Sequence, residues 1–169
     1  NHWLVAGHTN AATGSFGSLS VSTDTIHWTQ RTTGIADDHR QIIYNDVKKT
    51  YFLNSIGCAA ASSTDAVNWT LRTIGLSSCA TQCGFLSWSG DYYVVSAAGA
   101  CGAGQGGNLI QKALSVSTDA IHWTARTIGN TDAAVMSHGY IHPTYVASLW
   151  CKTVSTSTDT IHWTKRTAN

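Results

Sequence analysis

The chain has 169 residues, only 11% of them charged, and a formal net charge of +1. It is long enough to bury a core and too weakly basic for a nucleic-acid partner, and it has no apolar run near the ~18 residues that a membrane helix needs. Neutral Ser, Thr, Gly and Asn must form much of its surface, which suits an extracellular, cell-surface or virion-surface setting, and the absence of a start Met or signal sequence suits a mature product or a segment of something longer.

In chain order, the first predicted strand is His2-Trp3-Leu4-Val5-Ala6, followed by a long Gly- and Ser-bearing stretch over 7–18. Val21 leads into Ser22-Thr23-Asp24-Thr25-Ile26-His27-Trp28-Thr29-Gln30-Arg31-Thr32. After a connector carrying Asp37-Asp38-His39-Arg40, the runs Gln41-Ile42-Ile43-Tyr44 and Tyr51-Phe52-Leu53 predict a hairpin turning over 45–50. The motif then returns as Ser63-Thr64-Asp65-Ala66-Val67-Asn68-Trp69-Thr70-Leu71-Arg72-Thr73. The same order follows twice more. Strands over 83–88 and 92–95 and a long stretch over 98–109 precede the copy holding Asp119 and Trp123. Strands over 134–136 and 145–147, joined by a hairpin over 138–143, precede the copy holding Asp159 and Trp163.

Four copies of an eleven-residue pattern, with Asp-to-Asp spacings of 41, 54 and 40 residues, define a repeat of about 40 residues. Each unit reads as four short strands, the size and content of a propeller blade. The expected fold is all-β: a β-propeller of four-stranded antiparallel blades near 1–34, 35–75, 76–129 and 130–169, the first lacking its inner strand. Alternation places Ile26, Trp28, Gln30 and Thr32 on one face of the outer strand, so Trp28, Trp69, Trp123 and Trp163 are expected to be clamped between blades. Burying each would remove ~150–250 Å², roughly 4–6 kcal/mol gross at ~25 cal/mol/Å². The Asp is expected in the turn ahead, accepting backbone N–H bonds.

Ser-x-Asp with a Trp at a fixed offset resembles the Asp-box, or bacterial neuraminidase repeat, of sialidase-like propellers. The shortened form is similar to repeats in secreted bacterial and phage structural proteins, and the resemblance covers essentially the whole chain. It implies that Asp24, Asp65, Asp119 and Asp159 are fold residues on the face away from any active site. The chain departs from the family where Thr25, Ala66, Ala120 and Thr160 stand in place of the Gly common in short forms.

A sialidase-like site needs three arginines on a carboxylate, a Tyr–Glu pair and an Asp acid. All nine acidic residues here are Asp. Arg31, Arg72, Arg126 and Arg166 are outer-strand repeat positions, which leaves Arg40 alone. Asp37 and Asp38 are adjacent, whereas a glycosidase pair flanks its substrate ~5–9.5 Å apart. A non-catalytic chain is expected. His27, His122 and His162 fall on three different blades, Cys79 and Cys83 lack a second pair, and the Gly-rich 99–107 stretch lacks a Lys-Ser/Thr. Neither a metal nor a cofactor is expected.

Binding is expected on the face opposite the Asp turns, where the long 7–18 and 98–109 loops gather. The candidate ligand residues are Asp37, Asp38, His39 and Arg40, with His8, Asn10, Gln105 and Asn108 from the loops, and the expected partner is a glycan or another protein chain. Cys58, Cys79, Cys83 and Cys101 fall on that face or its edge and are disulfide candidates in an oxidising compartment, with free thiols as the alternative. An incomplete first blade exposes a sheet edge, so self-association or a longer parent chain is expected to complete the ring, with a four-bladed monomer as the alternative. The expected function is a surface-exposed binding or structural module, glycan-directed in one version. A virion or appendage structural protein and a degenerate sialidase-like hydrolase are the alternatives.

Overall fold

The computed structural model describes residues 2–7, 18–55, 58–76, 82–98, 114–128, 135–149 and 153–167. Among them are strands and no helix. The first sheet has three strands, β1 (Trp3–Gly7), β2 (Ser18–Ser22) and β3 (Thr29–Arg31), in that order. The second has four: β4 (His39–Asn45), β5 (Thr50–Ser55), β6 (Ala60–Ser63) and β7 (Thr70–Arg72). The third repeats this with β8 (Gln82–Trp88), β9 (Tyr93–Ala98), β10 (Leu114–Ser117) and β11 (Thr124–Arg126). The fourth has β12 (Val135–Ile141), β13 (Thr144–Leu149), β14 (Thr153–Ser157) and β15 (Thr164–Thr167). Every neighbouring pair is antiparallel, so each sheet is a simple meander.

Register aligns the sheets with one another. Trp3, Tyr51, Tyr93 and Tyr145 each pair with the Ser that opens the repeat motif. On this alignment no strand equivalent to β4, β8 and β12 belongs to the first sheet among the described residues.

Strand alternation sends successive side chains to opposite faces, and here both faces are used. Tyr51 and Leu53 join Leu19 and Val21 in a core between the first and second sheets. Phe52, one residue along, joins Tyr93 and Val95 between the second and third. Val94, Leu114 and Val116 meet Tyr145, Ala147 and Leu149 between the third and fourth. The small residues of β6, Ala60 to Ser63, are all buried, which lets flanking sheets approach closely.

The leading strands touch in succession, β1 with β4, β4 with β8 and β8 with β12. No comparable contact joins β12 back to β1 among the described residues, so the four sheets form an open arc. Connectors lock the second sheet to the third and the third to the fourth. Ile74 and Ile128 are buried, and their carbonyls accept bonds from the Ser115 and Ser155 hydroxyls of the following sheet. A register shift recurs in each leading strand, near Arg40, Phe85 and Met136. At the middle one the Ser96 hydroxyl accepts from the Phe85 amide and donates to its carbonyl, satisfying the bulge.

Two expectations are corrected. The hairpin assigned to 138–143 is shorter: β12 runs through Ile141 and only His142-Pro143, a cis pair, makes the turn. The tryptophans are turn residues and not strand residues, although three of the four do pack between sheets as expected. The outer strands begin after them, at Thr29, Thr70, Thr124 and Thr164, so the motif Trp belongs to the turn and strand alternation does not apply to it. Trp69, Trp123 and Trp163 are partly buried against the core ahead of their own sheet, while Trp28 remains 43% exposed.

Candidate functional site

The repeat motif builds the same carboxylate turn four times, with the Trp ring N–H bond made in three copies and not at Trp123. The Ser22 hydroxyl donates to Asp24 Oδ1 (3.1 Å) and accepts from the amides of Asp24 and Thr25. Asp24 Oδ1 accepts from the amides of Ile26 (2.9 Å) and His27 (2.8 Å). Its other oxygen meets His27 Nδ1 at 2.7 Å. Trp28 closes the turn by donating its ring N–H to the Thr25 carbonyl at 3.1 Å. The Asp119–His122 and Asp159–His162 contacts repeat the 2.7 Å distance. In the second sheet Asn68 Nδ2 donates to Asp65 at 2.8 Å, doing the work of the imidazole.

This geometry explains the missing glycines. Thr25, Ala66, Ala120 and Thr160 have φ of 66°, 60°, 62° and 63°, a left-handed conformation that costs roughly 1–2 kcal/mol for a residue with a Cβ. The carboxylate bonds and the buried Ser hydroxyl offset that cost. The Asp carboxyls are accordingly held well below the usual carboxylate range. His27 and His162 are the chief cause for Asp24 and Asp159, followed by the backbone donors. The Asn68 amide is the chief cause for Asp65. At Asp119 burial pushes upward, and the His122 and backbone bonds override it. Asp119→Ala is expected to lower the melting temperature by roughly 3–6 °C. Asp119→Asn should lower it by less, because the amide keeps one acceptor oxygen. A thermal scan of the two variants checks this.

The residues selected for ligand binding do not come together. Asp37 and Arg40 are exposed and Asp38 is half-buried. His39 is a correction: it is 4% exposed, its Nε2 lies 2.9 Å from the Thr33 hydroxyl, and burial pushes its pKa down. Alternation along β4 turns it into the fold while Arg40 faces solvent. His8, Asn10, Gln105 and Asn108 lie outside the described residues, as do Cys79 and Cys101, and the Cys83 side chain does too. Cys58 is disulfide-bonded. Among the described residues no group of three His, Cys or Asp could hold a metal ion. His27, His122 and His162 each have side chains 86% exposed and bonded to their own turn.

The structure shows a different concavity, on the side of the Asp turns. Between the third and fourth sheets an open cleft of ≈ 520 Å³ is lined by Asp91, Tyr92, Tyr140, His142, Tyr145 and Asp159, with Thr118 and Thr158 at its edge. Tyr140 and Tyr145 are cross-strand partners with ring centroids 4.5 Å apart, and Tyr92 meets Tyr145 edge-on at 6.1 Å. The Tyr145 hydroxyl is fixed by Ser89 at 3.0 Å. A second cleft of ≈ 370 Å³ lies between the first and second sheets, lined by His2, Trp3, Tyr44, Tyr51 and Thr64. Tyr44 and Tyr51 are again cross-strand partners at 4.5 Å, and His2 takes the edge-on place at 6.5 Å. Sequence reading missed both clefts, although the matching Tyr pairs were a visible signal.

No family model and no curated protein matches the chain. Among solved structures it is similar to the computationally designed Ika8 protein, with a TM-score of 0.58 at 4% identity, over 95% of this chain and 48% of that one. The chain thus spans about half the length of that protein, and at this identity the likeness is one of fold alone. It is also similar to YCF48 from Cyanidioschyzon merolae, with a TM-score of 0.37 at 10% identity, over 89% of this chain and 67% of that one.

Proposed function

We propose that the chain is a non-catalytic, surface-exposed binding or structural module: an arc of a β-propeller that a second copy completes. Its repeated aspartates serve turns of the Asp-box kind, and an extracellular or virion surface suits its neutral composition and its disulfide. One observation carries the reading. The face that Tyr51 and Leu53, Tyr93 and Val95, and Tyr145 and Ala147 bury against a preceding sheet is uncovered in the first sheet. There the equivalent Trp3 and Val5 are 58% and 54% exposed, beside the exposed Trp28. An apolar face of this kind on a folded chain marks an interaction surface.

The proposed occupant is the outward face of the fourth sheet of another copy. Val146 and Ser148 of β13 stand in register where Phe52 and Asn54 of β5 stand, and Phe52 is what covers the third sheet. The new contact would repeat the one between the second and third sheets. Sedimentation equilibrium is expected to give twice the chain mass for the protein as it stands. For a Val5→Glu, Trp28→Ser double variant of unchanged circular dichroism it should give the single-chain mass. A monomer at high micromolar concentration would overturn the shared ring.

A further inference from the structure

We propose that the two clefts are equivalent binding subsites for a neutral pyranose sugar, one for each pair of sheets. The inference deepens the binding part of the proposed function; the larger cleft stands apart from ring closure, while Trp3 of the smaller cleft also lies on the face proposed for the second copy.

Three observations combine. First, the clefts recur at the same register position. The Tyr44–Tyr51 and Tyr140–Tyr145 pairs are tilted by 35° and 37°, and an aromatic residue of the preceding sheet, His2 or Tyr92, stands edge-on to each. The boundary between the second and third sheets does not repeat this arrangement. There Trp88 replaces the first Tyr, and Thr50 stands where His2 and Tyr92 stand.

Second, each lining set holds exposed or half-exposed aromatic faces, Trp3 and Tyr44 in one and Tyr92 and Tyr140 in the other, beside one buried Tyr, a histidine and at least one threonine. A pyranose carries apolar C–H faces that can lie on aromatic rings, and hydroxyls that need donors and acceptors at the edge. Volumes of ≈ 520 and ≈ 370 Å³ admit one or two such rings.

Third, charge narrows the class. Asp91 and Asp159 line the larger cleft and, among the described residues, no Lys or Arg does, so an acidic sugar would meet like charge. Aromatic rings with carboxylates also suit a quaternary ammonium, but among the described residues no carboxylate lines the smaller cleft. The chemistry common to the two is the aromatic face and hydroxyl edge, not negative charge.

Saturation-transfer NMR tests the assignment with methyl glycosides of mannose, galactose, glucose and N-acetylglucosamine, alongside sialyllactose and choline, at millimolar concentration. At least one neutral glycoside is expected to receive saturation, chiefly on its ring C–H protons, while sialyllactose and choline do not. Asp91→Asn and His142→Ala, both at exposed positions, should each weaken the response of the larger cleft several-fold. Tyr140→Ser combined with Tyr44→Ser should abolish it. Silence of every neutral glycoside, a response to choline or sialyllactose alone, or full transfer in all variants would overturn the proposal. Silence of every neutral glycoside with the unaltered chain, while its dimer is intact, would condemn the clefts and leave the shared ring standing.

Discussion

Tyr93→Ala is expected to cost about 3–5 kcal/mol, the range for removing a large aromatic from a packed core, and to shift chemical denaturation accordingly. Tyr93 is fully buried and is the largest of the completely enclosed side chains. It touches Phe52 of the preceding sheet, with centroids 6.0 Å apart, and Trp88 and Trp123 of its own, at 4.5 and 6.4 Å. Its loss opens a cavity where the second and third sheets meet, the joint on which the arc depends. Tyr93→Phe provides the contrast. The hydroxyl makes no well-formed hydrogen bond although Asn45 lies beside it, so this variant should stay within about 1 kcal/mol of the parent. Equal losses in the two variants would show that the hydroxyl, not the ring, holds the joint.

Acidification is expected to remove about 3 kcal/mol of stability through one residue, His138. It sits on β12 in the register position of Ile42 and Leu86. Neither ring nitrogen makes a well-formed hydrogen bond. Burial pushes its pKa down from 6.5 to about 4, against a weaker pull from the Val94 backbone. The folded state therefore keeps the ring neutral at pH values where the unfolded chain takes up a proton. Stability is whole above pH 6.5, falls as the pH drops towards about 4, and levels off below that as far as this group is concerned. His39, also pushed down by burial, adds a change of the same sign. The turn carboxylates act separately. Their contribution is present above the ordinary value of 3.8 and fades only in stronger acid. Urea midpoints measured from pH 7 to pH 4 should show the decline, and His138→Leu, which restores the apolar residue of the sister strands, should flatten it. An unchanged slope in that variant would place the sensitivity elsewhere.

The repeat made the architecture legible. Four copies of one motif, three of them preceded by two apolar runs and the first by one, were enough to lay out the meanders and the short first sheet. What failed was the extension of strand periodicity through Ile26 and Trp28. Those residues lie in a turn whose shape is set by Ser22, Asp24 and a left-handed Thr25, so their exposure follows that turn. His39 misled for a related reason: a charged-looking cluster over 37–40 straddles the start of a strand, which turns one member inward. The clefts were hidden because their walls come from separate units. Tyr92 and Tyr140 belong to neighbouring sheets and lie far apart in sequence, and only register shows that Tyr44 and Tyr51 rebuild the same wall.

The serine–aspartate turn has a consequence for how such a chain could change length. Every hydrogen bond that shapes it joins atoms between Ser22 and Trp28, or their counterparts. A duplicated unit would therefore carry the polar half of its corner wherever it landed, and would need a preceding sheet only to bury the apolar half. Selection on copy number would then act on how well successive flat surfaces mate, and the corner itself could be inherited unchanged.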